Sequence, residues 1–121
     1  MSIRRIGTTA RFSDAVIYNG VANIVEVPTS ENTDITTQTR EMLESLERRL
    51  ALAGSDKTKL LSATIYLTDM ADYAGLNEVW EAWVPAGCAP SRACLQVSAL
   101  AKPGWKVEIV VTAAVTGANI G

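Results

Sequence analysis

The 121-residue sequence contains no histidine. This absence excludes His-containing catalytic triads, His metal ligands and an imidazole general base. Cysteine is scarce too, since only Cys88 and Cys94 occur, and their spacing fits no common zinc pattern. A Gly-rich phosphate loop is also missing. Any chemistry must therefore come from carboxylates, Arg, Lys, Tyr, Cys, backbone groups and water, and we expect no metal.

Excess positive charge and long apolar runs are absent as well. The 11 Lys and Arg residues face 13 Asp and Glu residues, which gives a net charge of −2. Binding to nucleic acid needs a basic face, so we expect no nucleic-acid partner. No apolar run approaches the ~18 residues of a membrane-spanning helix, and the N-terminus resembles no secretory signal. We therefore expect no membrane association and a cytoplasmic location.

What is present is ordinary globular composition, with 48% hydrophobic and 20% charged residues. The length predicts one domain spanning residues 1–121. In its first half, short strands are predicted at 15–18 and 22–27. Asn19-Gly20 between them is a strong hairpin signal, because a tight primed turn needs positive φ. An apolar stripe predicts a helix over 34–53, which Thr33 or Asp34 can cap and Gly54 can end.

The second half continues with alternating strands and one more helix. Alternation predicts strands at 61–68, 92–99 and 105–115, with a turn at 102–104 and a helix over 71–84. The order strand, strand, helix, strand, helix, strand, strand is typical of an α+β domain with its helices on one sheet face.

The other sheet face is the most informative feature of this pattern. If the larger apolar set meets the helices, the opposite face carries Ser62, Thr64, Tyr66, Arg92, Cys94, Gln96, Glu108, Val110 and Thr112. Such a face is too apolar for a free surface and too polar for a dry core, which favours packing against another subunit. Arg92 and Glu108 are expected on this same face, near the subunit boundary.

Two segments resemble a known family. Residues 89–97 have the sequence Ala-Pro-Ser-Arg-Ala-Cys-Leu-Gln-Val, and residues 105–109 follow with Trp-Lys-Val-Glu-Ile. This is similar to the RidA/YjgF reactive-intermediate deaminase family, in which a P-x-R-x-C-[VL]-[QE]-V strand precedes K-[IV]-E-I. Supporting similarity lies at 64–69 and 77–80, and the resemblance covers roughly residues 10–115.

The resemblance implies a mixed β-sheet with two helices on one face, of the chorismate-mutase-like or YjgF-like type, in a homotrimer with a central barrel. It implies sites in clefts between subunits, where 2-imino or 2-enamino acids are hydrolysed to 2-keto acids and ammonia without a metal or cofactor. Arg92 would hold the substrate carboxylate, Cys94 would line the pocket, and the catalytic Glu108 would lie near the water or the leaving nitrogen. The implied partners are small carboxylate metabolites.

The sequence also departs from the family pattern at two places. Phe12 stands before Ser13, where typical members carry a pocket Tyr, and residues 24–28 lack the usual Ser-Gly. This resembles a divergent subgroup, and we expect Phe12 to form a pocket or interface wall.

Some alternatives stay open at the level of sequence. Arg92 can instead form a structural salt bridge with Glu108, Cys94 can be a nucleophile rather than a pocket wall, and Tyr66 can supply the hydroxyl missing at Phe12. The alternative function is a non-catalytic trimeric module that binds small carboxylate metabolites.

Overall fold

A six-stranded mixed sheet with two helices on one face forms the protein, whose computed structural model describes residues 2–116. The strands are β1 (Arg4–Ile6), β2 (Ala15–Tyr18), β3 (Val21–Glu26), β4 (Leu60–Leu67), β5 (Ser91–Gln96) and β6 (Val107–Ala114). The helices are α1 (Ile35–Ala53) and α2 (Tyr73–Trp83), and 3₁₀ turns cover Lys57–Lys59 and Met70–Asp72. The sheet order is β1-β2-β3-β6-β4-β5, with only the β4–β5 pair parallel.

Local sequence signals place the first elements as predicted. Asn19 and Gly20 have φ of 54° and 78°, so the turn between β2 and β3 takes the positive φ that the dipeptide favours. The Asp34 carboxylate accepts a 2.8 Å hydrogen bond from the Thr37 backbone N–H at the start of α1. Gly54 ends α1 in the left-handed region at φ 87°.

The core lies between the helices and one face of the sheet. From α1 it takes Met42, Leu43, Leu46 and Leu50, and from α2 Leu76 and Trp80. The sheet contributes the alternate residues of β2, β3, β4 and β6, including Ile17, Ile24, Ile65 and Ile109. The α+β class and the mixed sheet with two helices on one face are therefore confirmed. Within residues 2–116, neither helix combines the length and the hydrophobicity needed to cross a membrane.

The last two strands differ from the prediction. β5 and β6 are not neighbours, because β4 lies between them. β5 pairs in parallel with β4, which sets Arg92 opposite Ala63 and Cys94 opposite Ile65. Paired residues point to the same side of a sheet, so Arg92 and Cys94 lie on the helix side.

The prediction that Arg92, Cys94 and Gln96 share the open face with Glu108 is therefore wrong. β5 is an edge strand, and its more apolar alternating set, which includes the exposed Ala93 and Leu95, faces away from the helices. The alternation of polar and apolar residues along a strand identifies its two faces, but it does not indicate which face the helices cover.

The ends of several strands and of α2 also differ from the predicted ends. β1 was not predicted, since Arg4 and Arg5 give it little apolar character. β5 ends at Gln96 and β6 begins at Val107, so the turn at 102–104 belongs to a longer connection. α2 begins at Tyr73, after a 3₁₀ turn. Residues 1 and 117–121 of the predicted domain lie outside the described part.

Candidate functional site

Arg92 lies at the sheet edge beneath α2. Its Nη1 donates to the Asn77 side-chain oxygen at 2.8 Å, and its Nη2 donates to the Tyr73 hydroxyl at 3.1 Å. The guanidinium carbon is 5.6 Å from the centroid of the Trp80 ring and 5.8 Å from that of Tyr73. Cation–π attraction and two hydrogen bonds thus fix the group in orientation.

Both hydrogen-bond acceptors of Arg92 are neutral. Among residues 2–116, no carboxylate lies within ion-pair distance of its guanidinium. The alternative of a salt bridge between Arg92 and Glu108 within one chain is therefore excluded. A guanidinium has five N–H donors, and two of the donors here are engaged, so the group keeps both its charge and free donors for an anion.

Cys94 follows Arg92 on the same side of β5, partly buried against the core. Burial raises the pKa of its thiol, and the nearby Arg92 charge lowers it by a smaller amount. A thiol with a raised pKa stays protonated at neutral pH, which makes it a poor nucleophile. The geometry favours Cys94 as an inert wall beside Arg92.

Glu108 projects from the opposite face of the sheet, into a pocket of about 350 Å³. The apolar lining comprises Phe12, Val25, Val27, Ala101 and Trp105. Burial raises the pKa of the Glu108 carboxyl. Within the described residues the carboxylate has no ion-pair partner, so no positive charge of the chain offsets this burial.

Phe12 and Glu108, two of the sequence-predicted site residues, therefore share one pocket. Phe12 is 60% exposed and forms part of the pocket wall. Tyr66 lies opposite Glu108 in the β4–β6 register, so both side chains project from the open face. Its role as a source of a hydroxyl stays a prediction.

Glu26, on the same pocket, was not anticipated as a site residue. The side chain is buried at 7% exposure, and its carboxylate pairs with the Arg49 guanidinium at 3.1 Å. Burial raises its pKa, while Arg49 partly offsets that effect. Arg49 also reaches Asp14 at 3.4 Å. The sequence does hold a signal, since Glu26 continues the buried alternation of Ala22 and Ile24 in β3.

The sheet separates Arg92 from Glu108 within one chain. β4 lies between their strands, which puts the backbones about 10 Å apart across the sheet, and the two side chains leave opposite faces. One protomer therefore presents Arg92 and Glu108 at two separate places. No cluster of three or more His, Cys, Asp or Glu side chains that could hold a metal ion occurs in residues 2–116.

Comparison with known proteins agrees with this architecture. The family model described as Endoribonuclease L-PSP matches residues 2–115. A RutC family protein of Haemophilus ducreyi is 46% identical over 114 residues, which cover 93% of this chain and 97% of that protein. The RutC family protein YoaB of Escherichia coli K12 is 43% identical over 115 residues, covering 95% of this chain and 100% of YoaB.

A crystal structure of a YjgF family member from Neisseria meningitidis is similar with a TM-score of 0.92 and 47% identity, over 98% of both chains. The sheet, its two helices and these matches define an α+β protein of the YjgF type. The chain belongs to the Endoribonuclease L-PSP family, which confirms the resemblance to RidA/YjgF proteins.

Proposed function

We propose that the protein is a cofactor-free hydrolytic deaminase of 2-imino and 2-enamino acids, which it converts to 2-keto acids and ammonia. The observation that carries this proposal is the uncharged environment of the Arg92 guanidinium. Its guanidinium is oriented by the neutral side chains of Asn77 and Tyr73, and no carboxylate of residues 2–116 forms an ion pair with it. A planar donor group of this kind suits the carboxylate of an imino acid.

Glu108 supplies the second requirement, a proton acceptor. Water adds its oxygen to C2 of the protonated imine while Glu108 takes one proton from that water, which gives a neutral carbinolamine. Glu108 returns that proton to the nitrogen. The C2–N bond then breaks while Glu108 accepts the second water proton from the C2 hydroxyl, so that ammonia leaves and the C2 carbonyl forms. The raised pKa of the Glu108 carboxyl suits both halves of this transfer, because general acid–base catalysis works best near the operating pH.

The complete site is proposed to form between protomers. Arg92 and Glu108 leave opposite faces of one sheet, so a small substrate cannot contact both within one chain. In the proposed homotrimer, Arg92 and Cys94 of one protomer close the Glu108 pocket of its neighbour. The pocket wall of Phe12, Val25 and Trp105 then receives the substrate side chain, which favours uncharged groups such as that of 2-iminobutyrate.

The test is to generate 2-iminobutyrate from threonine with a dehydratase, in the presence of a nucleophile such as semicarbazide that competes with water for the imine. With the protein present, 2-ketobutyrate should form faster and less imine should be trapped. An unchanged partition between water and semicarbazide over a wide range of protein concentration would contradict catalysis.

The alternative is a non-catalytic module that binds small carboxylates. The apolar Phe12 and Val25 in the pocket favour it, because they offer no hydroxyl to guide a water. Saturable binding of 2-ketobutyrate without faster imine hydrolysis would select this alternative. A nuclease, which the description of the family names, finds less support, since the net charge of −2 provides no general attraction for a polyanion.

A further inference from the structure

Tyr73 brings a hydroxyl to the position where Arg92 presents its free donors. It is the first residue of α2, and its side chain stays 38% exposed. Its hydroxyl oxygen accepts the 3.1 Å hydrogen bond from Arg92 Nη2. The phenol and the guanidinium therefore meet at one accessible place at the edge of the sheet.

The direction of that hydrogen bond determines what Tyr73 can do. A guanidinium only donates, so the tyrosine oxygen must act as the acceptor. The phenol's own O–H then points elsewhere, and no acceptor for it occurs within the described residues. A free O–H beside a guanidinium is a site for an anion that takes hydrogen bonds from both groups.

We propose that Tyr73 is a substrate-binding residue whose hydroxyl donates directly to the carboxylate held by Arg92. This inference rests on the proposed function, and it adds a second carboxylate ligand from α2 to the one on β5. Asn77 has a different role, since its side-chain oxygen accepts from Nη1 and orients the guanidinium. The Trp80 ring, 5.6 Å from the guanidinium carbon, shields one side of the anion site from water.

The test compares Tyr73→Phe with the matched control Tyr18→Phe. Each change removes one hydroxyl and keeps the ring. Tyr18 is a 48% exposed residue of β2, and three strands lie between β2 and β5 in the sheet order. The probes are 2-ketobutyrate and its uncharged amide. Tyr73→Phe should weaken binding of 2-ketobutyrate roughly tenfold and leave binding of the amide unchanged, because a hydrogen bond to a charged acceptor is lost only with the acid. Tyr18→Phe should change neither.

A second measurement separates direct donation from an effect transmitted through Arg92. In an Arg92→Ala background, ligand-observed NMR measures the residual binding of 2-ketobutyrate added at high concentration. If the Tyr73 hydroxyl donates to the carboxylate, adding Tyr73→Phe weakens this residual binding further. If Tyr73 only orients Arg92, the added change has no effect, and the inference is overturned.

The outcomes also distinguish this inference from the proposed function. Normal 2-ketobutyrate binding by Tyr73→Phe, together with weak binding by Arg92→Ala, would remove Tyr73 from the site and leave the carboxylate anchor in place. Normal binding by both variants would overturn the proposed function as well. Circular dichroism of each variant confirms that binding is compared between folded proteins.

Discussion

Arg92 keeps its charge available because its neighbours are uncharged. Asn77 and Tyr73 accept hydrogen bonds without neutralising the guanidinium, and the Trp80 ring covers it without offering an anion. A structural salt bridge would have left little charge for a ligand. Under the proposed function, the carboxylate of the substrate supplies the counter-charge for this guanidinium.

Replacement of Arg92 measures this anchor. Arg92→Ala should lower kcat/KM for a 2-imino acid roughly 10- to 150-fold, since hydrogen bonds to charged groups contribute ~1.5–3 kcal/mol. Arg92→Lys should recover part of the loss, because an ammonium keeps the charge without the planar fork. An uncharged imine should be affected much less. If Arg92→Ala instead dissociates the protein while the remaining oligomer binds ketoacids normally, the residue is structural.

Glu108 differs from Arg92 because burial, rather than a hydrogen-bonding partner, determines its protonation. Burial raises the pKa of its carboxyl above the ordinary value of 4.5, so the acid limb of kcat/KM should have its midpoint above that value. A group whose pKa is raised on folding contributes stability below its unfolded pKa, and that contribution is lost as pH rises through its folded pKa.

Glu108→Gln should therefore lower kcat/KM roughly 100-fold or more and raise Tm at pH 7. The gain in Tm should shrink as the pH falls towards 4.5, where Glu108 itself becomes protonated. Rate–pH profiles and thermal melts at several pH values check both effects. An acid limb at or below 4.5 would contradict the prediction and would indicate that a positive charge from another protomer outweighs burial.

At the scale of elements, α1 positions the connection that carries Trp105. Gln38 is fully buried; its Nε2 donates to the Gly104 carbonyl at 2.8 Å, and its Oε1 accepts from the Lys106 backbone N–H at 2.7 Å. The next residue, Thr39, is equally buried, but its hydroxyl has no hydrogen-bond partner within residues 2–116. The two neighbours thus form a natural comparison.

Substitutions of Gln38 and Thr39 should change the free energy of unfolding in opposite directions. Gln38→Leu strands the Lys106 N–H and should lower the free energy of unfolding by roughly 2–3 kcal/mol. Thr39→Val removes a buried hydroxyl without a partner and should raise it by up to about 1 kcal/mol. Urea unfolding at one fixed protein concentration measures both changes. A loss on Thr39→Val as large as that on Gln38→Leu would mean that the Thr39 hydroxyl is satisfied in solution.

The elements that the sequence predicts well are those with local signals. Asp34 and Gly54 define both ends of α1, and Asn19-Gly20 defines the first hairpin, because capping and positive φ depend on a few adjacent residues. The position of β5 has no such signal. A parallel pairing with β4 depends on a crossover through α2, and alternation alone does not distinguish it from a hairpin with β6.

The candidate site also has features that a local motif predicts and features that only the folded chain determines. The motif predicts the identity of Arg92, Cys94 and Glu108, but their placement on opposite faces follows from strand order, which is non-local. Glu26 was missed because a buried carboxylate in an apolar strand only gains a partner, Arg49, once α1 is folded onto the sheet. Tyr73 contacts Arg92 only when α2 packs over β5.

For the whole molecule, the open face of the sheet is the feature that favours a partner subunit. Val25, Leu61 and Leu95 are 44%, 49% and 47% exposed in the single chain. Exposed apolar side chains on three strands of one sheet favour burial between subunits. The proposed closed trimer would cover them and would bring Arg92 of one protomer to the Glu108 pocket of the next.

This assembly predicts complementation between two inactive variants. Light scattering should first give the mass of a trimer for the unmodified chain and for both variants. When Arg92→Ala and Glu108→Gln chains are co-expressed in equal amounts, random trimers contain sites that join an intact Arg92 to an intact Glu108 of the neighbouring protomer. About a quarter of all sites should then be complete, so kcat/KM per chain should recover to about a quarter of the unmodified value.

Mixing the separately purified variants without subunit exchange is the control and should recover no activity. If the co-expressed protein is as inactive as each variant alone, Arg92 and Glu108 do not act together across a subunit boundary, and a stable monomer at micromolar concentration would contradict the shared site altogether.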